Sequence, residues 1–289
     1  PDACVVGQTQ RLIGACERER RRNRGIARRL PDVATTSAGA VVTDPVGTAR
    51  KVGETLASVA RLAAPANVPL SPIMANRSLS VHFDTITLSL TEAKAAAKAA
   101  GGRLNDAFLA ATAAGLRRYH QEMGAPLEAV RVSVPINLRG EGEGDATGNN
   151  FAPARFHLPV AEEDPVVAMA TMRALVTEQR AEPALSMVEP LARILNRLPT
   201  SVTTGIFGAA LKGIDLVASN VPGAPIELFT AGARINSMFA LGPLAGSAVN
   251  VTLLSYLDQV HIGVNLDPAA VTDPERFLRC YREGWDEIL

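Results

Sequence analysis

From residue 81 the chain alternates. Val81, Phe83, Thr85, Thr87 and Ser89 fall on one side of an extended segment, and His82, Asp84, Ile86, Leu88 and Leu90 on the other. With its β-branched content this predicts a strand. The period then turns helical. Thr91-Glu92 opens an Ala/Lys helix, TEAKAAAKAA, that Gly101-Gly102 closes. Asn105 is read as the N-cap of a longer helix, DAFLAATAAGLRRYHQEM, ending at Gly124. Phe108, Ala111, Thr112, Gly115, Leu116 and Tyr119 make a stripe of mostly small residues along it, which permits close packing of the helix on a sheet. Val130–Leu138 and Phe151–Leu158 predict two strands separated by the polar loop GEGEGD at 140–145. Pro165 opens a helix through Met169, Met172, Leu175 and Val176. Helical segments follow at 187–198 and up to 211, then strands at 214–219 and 234–240. AVNVTLLSYLDQVHIGVNL predicts a hairpin turning near Leu257-Asp258-Gln259. Asp273-Pro274 starts a last helix through Phe277, Leu278, Tyr281 and Trp285. Roughly seven strands and five or six helices that do not strictly alternate predict a mixed sheet with helices.

Residues 1–78 differ in kind. They contain no Phe, Tyr or Trp, and the first aromatic is Phe83. A stretch without large side chains buries little area to offset its ordering entropy, so it reads as a connector lying against something else, with the α/β domain at 79–289. Within the connector, Val52, Leu56, Val59, Ala60, Leu62 and Ala63 form a short helical stripe that Pro65 ends. Residues 17–29, ERERRRNRGIARR, hold seven arginines. They read as a solvated face or as a contact for an anionic membrane. No aromatic interleaves them to stack bases, which disfavours nucleic acid.

Overall, 47 % of residues are hydrophobic and 20 % charged, which excludes wholesale disorder, and 29 basic residues balance 29 acidic ones. The longest uncharged stretch, Ile235–Leu257, is broken by Gly242, Pro243, Gly246 and Asn250 and is not read as a membrane span. Three cysteines without a CxxC pair read as reduced thiols in a cytoplasmic protein, and Cys4 and Cys16 suit no common zinc spacing.

Familiar catalytic signatures are missing. There is no Walker loop, GxSxG elbow, HExxH or EF-hand loop. The acidic residues of GEGEGD would repel phosphate. The four histidines, His82, His120, His157 and His261, show no helical metal spacing. On alternation His261 shares a face with Gly263 and Asn265, but the bland reading for each imidazole is structural or surface. Two polar clusters are less bland. Asn105-Asp106 stands at a helix start, where capping alone would explain it. Ser219-Asn220-Val221-Pro222-Gly223 leaves the strand IDLVA, where a strand end opens onto a cleft.

Several ordered motifs together resemble the C-terminal half of the bacterial wax ester synthase/diacylglycerol acyltransferase (WS/DGAT) family. They are RLNDAFLAATAAGLRRY, SVPINLR with GNNFAPARFHLPV, ASNVPGAPIELFTAGARI, and LGPLAGSAVNVTLLSYLDQVHIGVNLDPAAVTDPERF. The resemblance runs from about residue 69 to 289 and is looser before that. It implies a chloramphenicol-acetyltransferase-like α/β fold, the second half of a two-domain body facing across a tunnel. It also implies acyl transfer from acyl-CoA, as substrate rather than cofactor, to diacylglycerol or a fatty alcohol, with no metal.

The family's catalytic histidine lies in an HHxxxDG motif of the first domain, and no such motif occurs here. HIGVN at 261–265 lacks its paired histidine and Asp-Gly. The expected catalytic partner is therefore a missing N-terminal domain, and the isolated chain is expected to be inactive. Asn105 and Asp106 match the Asn-Asp motif, with a bracing role. Ser219, Asn220, Val221, Pro222 and Gly223 match the Asn-Val-Pro motif near the interdomain site. The implied location is cytoplasmic, peripheral to membrane or lipid inclusions. The alternatives are a non-catalytic lipid- or partner-binding domain of the same fold, and a condensing domain that takes carrier-bound substrates.

Overall fold

The computed structural model describes residues 68–137, 151–182 and 213–289. The arginine cluster, GEGEGD, Cys4, Cys16 and the helical segments predicted before residue 65 and between 187 and 211 lie outside the described residues.

The strands are β1 (His82–Ser89), β2 (Ala129–Asn137), β3 (Phe151–Pro159), β4 (Leu216–Val221), β5 (Phe229–Thr230), β6 (Ala233–Arg234), β7 (Val249–Tyr256) and β8 (Gln259–Leu266). The helices are α1 (Leu90–Ala99), α2 (Leu104–Glu122), α3 (Pro165–Arg180) and α4 (Pro274–Asp286). Six strands form one mixed sheet in the order β1-β8-β7-β4-β2-β3. Its centre is parallel, β2 with β4 and β4 with β7, and the other pairings are antiparallel. Their interior position in the sheet explains the imperfect alternation along β7 and β8. Seven of the eight residues of each are buried, because central strands covered on both faces need no polar side. Edge strand β1, by contrast, keeps Phe83, Thr85 and Thr87 exposed.

Two helix starts differ from expectation. α1 begins at Leu90 and is capped by Ser89, whose Oγ accepts the Glu92 amide hydrogen at 3.2 Å. Thr91 and Glu92 therefore lie inside the first turn. α2 begins at Leu104 after Arg103, so Asn105 is a first-turn residue rather than the cap. The cap of α1 thus lies earlier than composition suggests, whereas at α2 Asp106 reaches back to the Arg103 amide. Asp164 and Asp273 cap α3 and α4 through first-turn amides, as their Asp-Pro sequences predict.

The small-residue stripe of α2 faces α4 rather than the sheet. A Cβ on Gly115 would lie 2.8 Å from Tyr281 Cα, and one on Gly284 would lie 2.5 Å from the Gly115 nitrogen and 2.6 Å from the Ala111 carbonyl oxygen. Two helix backbones meet there with no side chain between them. From Asp106 to His120 every residue of α2 except Arg118 is buried. The strand expected over 234–240 reduces to the two-residue pairing of β5 with β6, both exposed. The following residues run without regular structure across β7 and β8, held where Asn250 Nδ2 donates to the Pro243 carbonyl (2.8 Å) and Asn265 Nδ2 to that of Gly242.

Candidate functional site

Parallel strands β2, β4 and β7 end at one edge of the sheet, the side on which open α/β sheets generally place their ligands. β4 ends there in Ser219-Asn220-Val221, and Pro222-Gly223 turns the chain away. Gly223 is required by contact: a Cβ would collide with the Ser255 carbonyl oxygen, and the Gly223 amide donates to Ser255 Oγ at 3.2 Å. This closeness ties the turn to the end of β7. Ser219 is half-buried and stands opposite Thr252 in register, while Val221 and Pro222 are exposed.

The first turn of α2 reaches the same edge. Asn220 Nδ2 donates to Asn105 Oδ1 at 3.4 Å, a long contact between two half-buried amides. It brings together two polar clusters 115 residues apart in sequence. Asp106 does different work. It is buried, and its Oδ2 accepts the Arg103 amide hydrogen at 2.8 Å, so its carboxylate closes the N-terminus of α2. Gly102 lies close against that carboxylate, where a Cβ would meet Oδ2 at 3.0 Å.

No imidazole bonds to Asn105 or Asn220, although His261 stands in register with Leu254 and so at the level of Val221. His82 is half-buried on β1 and His157 exposed on β3. His261 is buried, with Nδ1 facing Thr87 Oγ1 at 3.2 Å and its ring edge-on to Phe239 at 4.8 Å between centroids. Burial pushes its pKa below the ordinary value, so the ring is neutral near pH 7. Nε2 has no partner and is sealed from solvent. The shared face of His261, Gly263 and Asn265 thus exists, but the chain from Phe239 to Pro243 covers it. His120 is also fully buried and bonded on both nitrogens.

One cluster resembles a metal site in composition. Donor atoms of Glu122, Cys280 and Glu283 lie within 4.8 Å of one another. Arg279 occupies both oxygens of Glu122, at 2.9 and 2.7 Å. Burial, reinforced by Glu122, pushes the Cys280 thiol up to about 11, so it stays protonated. The group is an ion-paired seam between α2 and α4, reinforced by Arg118 with Glu283 and Glu287. Sequence reading missed it because its partners come from two helices far apart in the chain.

Among known proteins, residues 147–289 match the family model described as the WS/DGAT C-terminal domain. A Mycobacterium tuberculosis protein provisionally named a diacylglycerol O-acyltransferase is 40 % identical over 256 residues, covering 89 % of this chain and 52 % of the relative. A second from the same species is 30 % identical over 200 residues, 67 % of this chain and 42 % of its own. The chain spans about half the length of the curated relatives it matches. Among solved structures, the wax ester synthase/diacylglycerol acyltransferase of Marinobacter aquaeolei VT8 superposes with a TM-score of 0.55 at 21 % identity, over 85 % of this chain and 57 % of that one. A condensation domain involved in chain release from the enacyloxin polyketide synthase gives 0.54 at 15 %, over 80 % of this chain and 46 % of that one. The mixed sheet with flanking helices is thus the chloramphenicol-acetyltransferase-like architecture. The ordered motifs, the family model and the mycobacterial relatives agree, and the chain belongs to the wax ester synthase/diacylglycerol acyltransferase family, of which it carries the C-terminal domain.

Proposed function

We propose that this chain is the C-terminal wall of an acyl-CoA-dependent O-acyltransferase that makes triacylglycerol or wax ester from diacylglycerol or a fatty alcohol. The observation that carries the reading is the Asn220–Asn105 contact, which gathers the Asn-Val-Pro-Gly turn and the Asn-Asp motif at one edge of the sheet. The base comes from the HHxxxDG motif of a preceding domain, since neither buried imidazole here has a free path to a substrate. In the reaction the histidine takes the alcohol proton as the oxygen attacks the thioester carbonyl. The tetrahedral intermediate collapses to the ester, and the leaving CoA sulfur receives the proton back. This chain's part is to position: Asp106 fixes the start of α2, Asn105 and Asn220 hold the strand end beside it, and Gly223 sets the turn. Acyl-CoA enters as substrate, and this acid–base chemistry calls on no metal.

The direct test is to express the complete gene product and assay CoA release from palmitoyl-CoA with diacylglycerol or hexadecanol. Ester formation that disappears when the histidines of the upstream motif are replaced by alanine is the expected result. Folded protein that transfers nothing supports a non-catalytic lipid- or partner-binding domain. Transfer only from a phosphopantetheine carrier supports the condensing reading.

The proposed location is cytoplasmic, at the surface of a membrane or lipid inclusion. The products are insoluble, and no helix among the described residues is long and apolar enough to cross a membrane. Arginine-driven adsorption predicts sedimentation with anionic but not neutral vesicles, and equal binding to both rejects it.

A further inference from the structure

Residues 68–80 have no regular secondary structure, yet side chains of Arg131, Asp215, His120 and Asp267 bond to them, Arg131 through the Val68 carbonyl at 2.6 Å. Asp215, fully buried just before β4, accepts the amide hydrogens of Leu70 (3.1 Å) and Ser71 (3.2 Å) and also that of Arg131 on β2 (2.8 Å). Ser71 Oγ lies 2.7 Å from His120 Nε2 and accepts the Met74 amide hydrogen at 3.0 Å. Met74 is completely buried. Further along, Arg77 donates to the carbonyls of Gly246 and Ile214, and Ser78 donates twice to Asp267.

The protons in the first of these contacts are determined by chemistry. His120 Nδ1 faces the Leu116 carbonyl oxygen at 2.8 Å, and a carbonyl can only accept. Nδ1 therefore carries the hydrogen. In the neutral ring Nε2 then accepts, and the Ser71 hydroxyl donates to it. Serine, histidine and aspartate meet here without forming a hydrolytic triad. Asp215 binds backbone amides rather than the imidazole, and Ser71 and His120 are 1 % and 0 % exposed.

We propose that Ser71, His120 and Asp215 form a pH-sensitive clasp. It holds residues 70–74 on the body while His120 is neutral and releases them when the imidazole takes up a proton. Protonation turns Nε2 into a donor, so Ser71 Oγ, already accepting the Met74 amide, must accept again and turn its own hydrogen away from the ring, and a charge is placed where no water reaches. Burial depresses the proton affinity of His120, while the Leu116 carbonyl and Asp215 partly oppose this. Two uncharged groups contact the ring: Ser71 from the strap, and Tyr119, edge-on at 5.8 Å between centroids. Arg77 and Arg131 lie on the Asp215 side. In the released state His120 returns to an ordinary value of about 6.5. Release therefore becomes easier as pH falls below that value, and the clasp is at full strength above it.

Hydrogen exchange on the full chain between about pH 7.5 and 5 tests this. Relative to intrinsic exchange, protection of the Leu70, Ser71 and Met74 amides should fall up to about tenfold per pH unit below 6.5, with β8 amides unchanged. In His120→Gln the step should vanish. A flat profile in the native chain, or the same step in His120→Gln, overturns the proposal. If that variant does not fold, NMR titration of the His120 ring decides. The native ring should titrate below 6.5, and in Ser71→Ala it should move back toward 6.5. Coincident titrations reject the clasp.

Discussion

Asn220 and Asp106 belong to motifs of equal prominence in the sequence, but their surroundings assign them different work. Asn220 ends a strand half-buried, with one long contact to Asn105, so its amide is only lightly committed to the fold. In the complete enzyme Asn220→Ala is expected to lower kcat about fivefold or more, the effect of roughly 1 kcal/mol on a barrier, with an unchanged urea midpoint. Unchanged turnover in folded protein removes it from the site. Asp106 is buried and committed to the Arg103 amide. Asp106→Ala should cost about 1–2 kcal/mol of stability, as loss of a helix N-terminal acceptor does, while the rate per folded molecule is largely kept. An unchanged midpoint with collapsed turnover would reverse the assignment. The brace at Asp106 is a local contact within the start of α2 and was legible in the sequence, whereas the partner of Asn220 is set by where the α2 terminus lands.

At the scale of elements, α2 and α4 depend on the glycine pair that lets their backbones touch. Gly284→Ala places a methyl against the Ala111 carbonyl and the Gly115 nitrogen. An overpacking cost of about 1–3 kcal/mol is expected in urea denaturation. Because Gly115→Ala strains the same seam, the double variant should cost less than the two single losses added together. Strict additivity would mean that the helices relax independently. Among the described residues the four helices and most strands were legible from period and caps, to within two residues at the starts of α1 and α2. The stretch at 234–240 was misread, since its apolar residues suit a strand but no neighbour in the main sheet pairs with them.

Acid sensitivity and exposed apolar area belong to the whole molecule. Burial acts to raise the pKa of Asp267, but hydrogen bonds from Ser78 and Ala269 and the charge of Arg77 outweigh it and hold it below its ordinary 3.8. A carboxylate lowered in the folded state contributes stability that is complete above about 3.8 and is lost as pH falls through the lower folded value. Asp267→Asn should therefore flatten the stability curve below about pH 4. An acid limb identical to that of the native chain would assign it to other carboxylates. Leu79, Phe83, Ile226 and Phe229 are all more than half exposed. Apolar surface of this kind seeks a cover, so the isolated chain is expected to self-associate in light scattering. A monodisperse monomer contradicts that.

By itself the sequence determined the class of fold, the mixed character of the sheet, most of the helix-forming segments and the family. Each depends on local period, turn chemistry or ordered motifs, which survive without knowledge of long-range contacts. Tertiary structure alone decided that the small face of α2 meets a helix, that Asn220 reaches Asn105, and that His120 and His261 are sealed away. It also joined Ser71, His120 and Asp215, residues separated by up to 144 positions. The physical reason is the same throughout: a side chain's protonation, exposure and partners depend on segments distant in the chain, and only their packing brings those segments within hydrogen-bond range.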